Sequence, residues 1–188
     1  MKEIMFSDGY GLTQAVLSGI KTMARQVLKE GTPLGNWEET EKSLPYKVGD
    51  IVAIAWPYKD FIECLPMYSN AILKEVGMLR KEFKAGWTNK MFVKAPLLSH
   101  HIKIVDVKVE RLRDISEKDC LREGIRYYHS SDKRWSNDSG YGYHIPKNGL
   151  HLFDTPYKAF ANLFERISGK GTWESNPWVV ACSFELVD

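Results

Sequence analysis

The chain has 188 residues, of which 44% are hydrophobic and 27% are charged, and its formal net charge is +2. This length suffices for one hydrophobic core with an insertion and is too short for two ordinary domains, so we predict a single domain over residues 1–188. The mild positive charge falls short of the basic composition of a general duplex-binding protein, and it favours a small ligand or a short single strand.

Three cysteines are scattered through the chain, at Cys64, Cys120 and Cys182. None has the Cys-x-x-Cys spacing of a zinc site, and an odd, sparse count is typical of a reducing compartment. The first residues are too few and too charged for a signal peptide, and no apolar run reaches the roughly 18 residues that cross a bilayer. We therefore expect a cytoplasmic protein with no membrane partner, metal or other cofactor.

The N-terminal residues predict a strand, a helix and an extended segment in that order. Alternating apolar residues predict a strand over 3–7, and apolar residues at helical spacing predict a helix after residue 11. Gly19 is a suitable residue to end this helix. The extended segment then brings a glycine, a cation, a hydroxyl group and a second cation within seven positions: Gly19, Lys21, Thr22 and Arg25. Prolines and glycines over 31–47 predict an exposed loop.

The middle of the chain alternates between strand and helix patterns. An apolar run over 51–56 predicts a buried strand, and residues 57–84 form an insertion whose apolar spacing predicts a helix over 69–84. A break follows at 86–90. Short apolar stretches predict strands over 91–94 and 101–112.

The C-terminal third predicts two helices, a loop and a final strand. Ser116 is a suitable N-cap for a helix over 117–123, and Thr155-Pro156 begins an amphipathic helix that ends at Gly169. Residues 126–151 are rich in Tyr, Ser, Asp, Asn and Gly and predict a long inserted loop. Residues 178–187 predict a strand. The whole order is that of an α+β chain with a small mixed sheet or β-barrel and helices packed outside.

In this order, the motifs resemble those of the ASCH domain, a relative of the PUA fold. The resemblance rests on Gly19-x-Lys21-x-x-x-Arg25 after a short helix, on Val48-Gly49-Asp50 before a strand, and on Ile115-Ser116 at the start of a helix. Residues 86–93 and 171–178 resemble a longer subgroup found in bacteria and their phages. The resemblance implies a PUA-like small mixed β-barrel that binds RNA, or a nucleotide- or nucleoside-like ligand, in a cleft beside the barrel.

One branch of this family hydrolyses the amide of N4-acetylcytidine with a lysine, a threonine three residues later and a glutamate. The resemblance places the lysine on Lys21 and the glutamate on Glu123, but the threonine position holds Ala24. Thr22 would share a face with Ala24 in an extended segment, about 6–7 Å from the required place. The sequence therefore departs from the enzymatic pattern at its hydroxyl group and leaves the question of catalysis open.

The three charged residues of this pattern each have two readings. Lys21 would hold a phosphate or polarise a carbonyl as an ammonium ion, and would act as a base if burial lowered its pKa. Arg25 would either bind the ligand or pair with an acid such as Glu123. Glu123 would be a general acid or base, or else a solvated residue at the end of its helix.

A second group of candidate ligand residues is Trp87, Asn89 and Lys90. An aromatic plane, an amide and a cation together can stack on a base and bind its edge. The alternative for Trp87 is a structural role at the end of the barrel. His100-His101 does not predict a metal site, because neighbouring residues of a strand point to opposite faces.

These observations leave three hypotheses. The first is a module that binds RNA or a small nucleotide through Lys21 and Arg25. The second is an amidohydrolase for an N4-acylated cytidine-type nucleoside that uses Lys21 and Glu123. The third is an accessory protein of a phage or mobile element that acts by protein–protein contact through residues 126–151. The oligomeric state has no signature in the sequence.

Overall fold

The computed structural model describes residues 1–59, 82, 84–129, 139–145 and 149–187. Within these ranges, no helix is long and apolar enough to cross a membrane. The chain divides into two compact units. The first unit consists of Met1–Phe6, Ile51–Ile102 and Val187–Asp188, and the second of Ser7–Asp50 and Lys103–Leu186.

The elements alternate along the chain as expected of an α+β protein. The strands are β1 (Lys2–Ile4), β2 (Met23–Val27), β3 (Ile51–Ile54), β4 (His101–Arg111), β5 (Arg126–Tyr128), β6 (Gly140–Ile145), β7 (Gly149–Phe153) and β8 (Trp178–Leu186). The helices in the described ranges are α1 (Leu12–Leu17), α2 (Trp37–Ser43), α3 (Glu117–Arg122), α4 (Pro156–Ser168) and α5 (Thr172–Ser175).

The strands form an open five-stranded sheet in the order β1-β3-β4-β8-β2, and a three-stranded sheet in the order β5-β6-β7. The larger sheet is mixed, because β1 is parallel to β3 while β2 is antiparallel to β8. The predicted α+β class is confirmed, but the predicted barrel is not. Closure would require the two end strands to exchange hydrogen bonds, and in the described residues β1 pairs only with β3 and β2 only with β8.

The first unit is built on the β1–β3 pair and a cluster of buried side chains. That cluster contains Ala53, Ala55, Tyr58, Trp87, Val93, Ala95 and Leu98. The strand predicted over 91–94 is wrong, because the chain there forms two short 3₁₀ turns, Lys90–Phe92 and Ala95–Leu97. Pro96 lies inside the second turn, and proline lacks the N–H that a strand needs. The helix predicted over 69–84 lies almost wholly outside the described residues.

In the second unit, β2 and β8 pair in register from Met23↔Ser183 to Val27↔Val179. Helix α4 begins at the N-cap Thr155, whose hydroxyl accepts a hydrogen bond from Lys158 N–H at 3.2 Å. Its buried stripe consists of Ala159, Phe160, Leu163 and Phe164. Burial of each large side chain of this kind stabilises the fold by about 1.5–3 kcal/mol, so the apolar stripe rather than helix propensity holds α4 in place.

The long loop predicted over 126–151 is instead the three-stranded sheet β5-β6-β7, as far as the chain is described. Register pairs such as Tyr127↔Tyr141 and Tyr143↔His151 connect its strands. The sequence analysis predicted a loop because these strands contain glycine, which is depleted in strands. Gly142 is required there, because a Cβ at that position would overlap the backbone oxygen of His151.

The exposed loop predicted over 31–47 contains a helix, α2. The Asn36 side chain accepts a hydrogen bond from Glu38 N–H at 2.9 Å and caps its N-terminus. Glu38 and Glu39 in the first turn add favourable contacts with the helix dipole. The prolines and glycines on either side of this seven-residue helix concealed it.

Candidate functional site

The segment from Gly19 to Arg25 enters the second unit directly after α1. Gly19 has a φ of 71° and donates its N–H to Val16 O at 2.9 Å, so it ends the helix as predicted. The N–H groups of Ile20 and Lys21 both donate to Ala15 O at 2.9 Å. Gly19 therefore acts through its backbone, by turning the chain so that the position of Lys21 is fixed.

Burial alternates along the segment that follows. Lys21, Met23 and Arg25 are buried, while Thr22 and Ala24 are partly exposed. This period of two is that of extended chain, in which successive side chains point to opposite faces. The two cations therefore share the inner face. Ala24, where the resemblance expects a threonine, lies on the opposite face.

Glu123 meets both cations from the C-terminal end of α3. Ser116 caps this helix by accepting from Asp119 N–H at 3.1 Å. Lys21 Nζ lies 2.5 Å from Glu123 Oε2 and donates to the Glu123 backbone oxygen at 2.9 Å. Arg25 Nη1 donates to the other carboxylate oxygen, Oε1, at 2.8 Å. The two carboxylate oxygens of Glu123 are therefore divided between the two cations.

Arg25 connects this pair to two further carboxylates. Its Nη2 and Nε donate to Glu110 Oε1 at 2.6 and 3.2 Å, and Nη2 lies 3.5 Å from Asp119 Oδ2. Its Nη1 also contacts Met23 Sδ at 3.1 Å. These contacts match the five N–H donors of a guanidinium group. Arg25 therefore has no donor left for a ligand in this conformation, and the internal pairing with Glu123 is the arrangement observed.

Two further cations, both partly exposed, complete the group. Lys108 Nζ lies 3.0 Å from Asp119 Oδ2 and 3.1 Å from Glu110 Oε2, and Arg122 Nη1 lies 3.3 Å from Asp119 Oδ1. We call these seven residues the ion-pair cluster: Lys21, Arg25, Lys108, Glu110, Asp119, Arg122 and Glu123. Side-chain exposure rises from 0–5% at Arg25, Lys21 and Glu123 to 34–40% at Arg122 and Lys108.

Burial and pairing shift the pKa values of the cluster in opposite directions. Burial lowers the pKa of Lys21 below its usual value, and the Glu123 carboxylate offsets this only in part. Burial also opposes the charge of Arg25, but Glu123 and Glu110 outweigh it, so the pKa of Arg25 is raised. The Lys21 ammonium ion is thus the cation of this pair that gives up its proton more easily.

The outer carboxylate Asp119 is held in its charged form. Burial alone would raise the pKa of Asp119, but Lys108, Arg25 and Arg122 together lower it. The pKa of Lys108 is raised for the matching reason, since its bonds to Asp119 and Glu110 outweigh its burial. The outer part of the cluster is therefore an ordinary stabilising ion-pair network.

A cavity of about 450 Å³ lies in the second unit next to the ion-pair cluster. Ile20 and Gly124, the chain neighbours of Lys21 and Glu123, form part of its wall. A Cβ at Gly124 would lie 3.6 Å from Lys21 Cβ, so little separates this wall from the lysine. The remaining lining residues are Tyr10, Gly11, Leu12, Gln14, Ala15, Ser18, Arg126, Tyr128, Tyr143 and His144.

Neither described cysteine is suited to nucleophilic chemistry in this region. Cys120 and Cys182 are both buried. Burial raises the pKa of each thiol to about 12, so both are protonated at neutral pH. Among the residues that the structure describes, no group of three or more His, Cys, Asp or Glu side chains could hold a metal ion.

The remaining predicted ligand residues have structural contacts. Trp87 packs in the buried cluster of the first unit. The Asn89 side chain caps a 3₁₀ turn by accepting from Met91 N–H at 3.0 Å, and Lys90 Nζ donates to the backbone oxygen of Phe6. In the second unit, Thr22 Oγ1 accepts from Arg122 Nε at 3.4 Å. None of these four residues lines the cavity described above.

Sequence reasoning missed the outer cluster and most of the cavity. Lys108 and Glu110 are two residues apart on β4, and this spacing places them on one strand face beside each other. Such a pair is also typical of a solvated strand, so it carries no specific signal. Arg126 and Tyr128 have the same spacing on β5, inside the segment that was predicted to be a loop.

The comparisons with known proteins add little. No family model matches the chain, and no curated protein matches it. Among solved structures, the chain is similar to protein EF3133 from Enterococcus faecalis V583, described with the family model DUF984. The TM-score is 0.47, with 17% sequence identity over 100% of this chain and 81% of that chain. A similarity this weak carries no argument about function, so the ASCH resemblance stays a hypothesis.

Proposed function

We propose that this protein binds a nucleoside- or nucleotide-like ligand, free or at the end of an RNA strand, in the cavity beside Lys21 and Glu123. The observation that carries the proposal is the cavity of about 450 Å³ with three tyrosines in its wall and the buried ion pair directly behind it. Cavities of about 300–1,000 Å³ are typical of small-molecule sites. The ASCH resemblance supports the same class of ligand.

The lining offers the two kinds of contact that a nucleobase needs. The rings of Tyr10 and Tyr128 are partly exposed at the cavity and provide flat surfaces for stacking. Gln14 and Ser18 are polar and exposed on the α1 side of the cavity, where an amide and a hydroxyl group can bind the edge of a base. The proposal therefore gives stacking to the tyrosines and base-edge contacts to α1.

In this proposal, the ion-pair cluster supports the ligand site rather than touching the ligand with every charge. Arg25 is fully buried and engaged with carboxylates, so its role is to position Glu123. Lys21 and Glu123 stand behind the wall formed by Ile20 and Gly124. Lys21 and Glu123 would contact a ligand only if the ligand displaced that wall. The direct contacts with the ligand therefore come from the cavity residues.

The test is a binding titration with the four nucleosides, the four nucleoside monophosphates and a short single-stranded RNA. Gln14→Trp would fill the cavity from an exposed position, and we expect it to weaken binding at least about tenfold. Gln26→Trp, at an exposed position of β2 outside the lining, is the matched control and should bind like the wild type. Equal binding by both variants would contradict the proposal, as would no binding of any ligand to the wild type.

A second candidate function, hydrolysis of an N4-acylated cytidine-type nucleoside, is favoured by one observation. Lys21 and Glu123 are in direct contact at 2.5 Å in a buried site, and burial lowers the pKa of Lys21. Buried acid–base pairs with shifted pKa values are typical of catalytic sites, although structural ion pairs also show them. The absence of a hydroxyl group at Ala24 counts against it.

The chemistry would be a hydrolysis in which Glu123 and Lys21 exchange protons with water and the leaving amine. Glu123 would take a proton from water, the water oxygen would bond to the acyl carbon, and the C–N bond would then break. The amine nitrogen would take up a proton from Lys21 or Glu123 as it leaves. The products are the free amine of the base and a carboxylic acid.

This second candidate is tested by incubating the protein with N4-acetylcytidine and measuring cytidine release by chromatography. Glu123→Gln keeps one side-chain oxygen that can accept from either Arg25 or Lys21, and it turns an N–H₂ group toward the other cation. We expect it to abolish release, and circular dichroism must show that the variant is folded. Turnover that survives Glu123→Gln, or no turnover by the wild type, would rule out this mechanism. Neither result would affect the binding proposal.

A further inference from the structure

We infer that the ligand of this cavity carries an anionic group, of the nucleoside phosphate class, and that Arg126 binds this anion. The inference rests on the proposed function, because it concerns the same cavity. It narrows the ligand to an anion and adds the residue that binds this anion, which does not follow from the ASCH motif, since Arg126 lies outside it.

The charged side chains among the described lining residues have a single sign, which is positive. Among the described residues of the wall, Arg126 is the only lysine or arginine, and His144 is the only histidine. None of the described lining residues is an aspartate or a glutamate. A concave surface with one sign of charge attracts ligands of the opposite sign, and a cavity focuses this attraction. The lining therefore favours an anion over a neutral or cationic ligand.

In the described part of the chain, no carboxylate forms an ion pair with Arg126. Its guanidinium carbon lies 5.9 Å from the centre of the Tyr128 ring, a cation–π arrangement that leaves the N–H donors available. This differs sharply from Arg25, whose donors are all engaged with neighbouring atoms. Of these two arginines, Arg126 is the one able to form new charge-assisted bonds.

The position of Arg126 suits an anion attached to a stacked ring. Arg126 and Tyr128 are two residues apart on β5, so they share one face of the strand. A base on the Tyr128 ring would then hold its phosphate group within reach of the neighbouring guanidinium. Arginine binds phosphate and carboxylate with the same forked geometry, so the experiment must distinguish these two anions.

The test is isothermal titration of the full chain with cytidine, cytidine monophosphate, orthophosphate and cytidine-5′-carboxylate at fixed pH and low salt. We expect the monophosphate to bind at least about tenfold more tightly than cytidine. Arg126→Gln should reduce this preference to about twofold or less, and Arg126→Lys should restore part of it. Arg113→Gln removes an exposed arginine of the same unit outside the cavity and should leave the preference unchanged.

The outcomes separate this inference from the proposed function. If cytidine and its monophosphate bind equally to the wild type, the anion inference is wrong and the binding proposal stands. If the preference for the monophosphate survives Arg126→Gln, the anion is bound elsewhere and the inference is again wrong. A preference for the carboxylate over the phosphate would overturn the assigned ligand class. Binding of none of these compounds would overturn the inference, and the proposed function would then be decided by the titration with all four nucleosides, their monophosphates and RNA.

Discussion

The ion-pair cluster and the cavity meet at Ile20 and Gly124, yet they use charge in opposite ways. In the cluster, the cations nearest the core are bound to carboxylates, and Arg25 is fully buried. In the cavity, Arg126 is exposed, and none of the described lining residues is an acid. Buried charges that satisfy each other stabilise and orient a site, whereas an exposed unpaired charge is available to a ligand. This contrast assigns support to one region and recognition to the other.

The largest expected effect comes from breaking the cluster at its centre. Arg25→Met would leave the carboxylates of Glu123, Glu110 and Asp119 without their shared partner, and we expect a loss of about 3–5 kcal/mol in the free energy of unfolding. Denaturant unfolding measures this loss. Arg113→Met, at an exposed position, should change it by less than about 0.5 kcal/mol. A loss below about 1 kcal/mol for Arg25→Met would show that the cluster is not a scaffold.

A smaller loss is expected from the sheet that carries part of the cavity wall. In Gly142→Ala, the new methyl group would overlap the backbone oxygen of His151, so strand β7 would have to shift. We expect a loss of about 2 kcal/mol in the free energy of unfolding, measured by thermal or denaturant unfolding. Gly35→Ala is the matched control, because nothing lies within 4 Å of its new Cβ. Equal stability of both variants would contradict the described register of β6 and β7.

The dependence of stability on pH below about pH 5 should test the outer part of the ion-pair cluster. The pKa of Asp119 is lower in the folded chain than its ordinary value of 3.8. Its contribution is therefore fully present above about pH 4 and is lost as the pH falls through the folded value. We expect Asp119→Asn to lose less stability than the wild type as the pH falls from 5 towards 2, because the amide has no charge to lose. Identical acid profiles would show that Asp119 is not held by Lys108, Arg25 and Arg122.

The smallest effect on stability is expected in the cavity. Arg126→Gln removes an exposed cation with no acidic partner in the described chain, so we expect the free energy of unfolding to change by less than about 0.5 kcal/mol. The same variant should lose much of its binding to the monophosphate. A loss of stability above about 1 kcal/mol would mean that Arg126 is part of the scaffold and would remove the contrast between the two regions.

Local patterns predicted those parts of the fold that depend on neighbouring residues. The caps at Gly19, Ser116 and Thr155 and the apolar stripe of α4 lie within single elements, and the structure places them as expected. Strands β5 to β7 were missed, because glycine usually indicates a loop. In this sheet, glycine is needed where another strand approaches closely. That requirement comes from residues distant in sequence, such as His151 beside Gly142.

The sequence predicted contacts within the candidate site only between residues that the ASCH motif already pairs. Lys21 and Glu123 are 102 positions apart, so their contact follows from a family resemblance and not from spacing. Glu110 and Lys108 look like solvated strand residues in the sequence, because their partners lie on other elements. The cavity is built from α1, β5, β6 and the connecting segments, and no stretch of sequence carries its pattern.

The most direct test of the account is nuclear magnetic resonance mapping of cytidine monophosphate binding on the backbone amides. We predict that the largest chemical-shift changes occur at Ile20, Gly124, Arg126 and Tyr128, around the cavity, and that the amides of residues 87–91 stay unchanged. This pattern would assign recognition to the cavity and support to the ion-pair cluster. Largest changes at residues 87–91, or no changes anywhere at saturating ligand, would contradict that assignment.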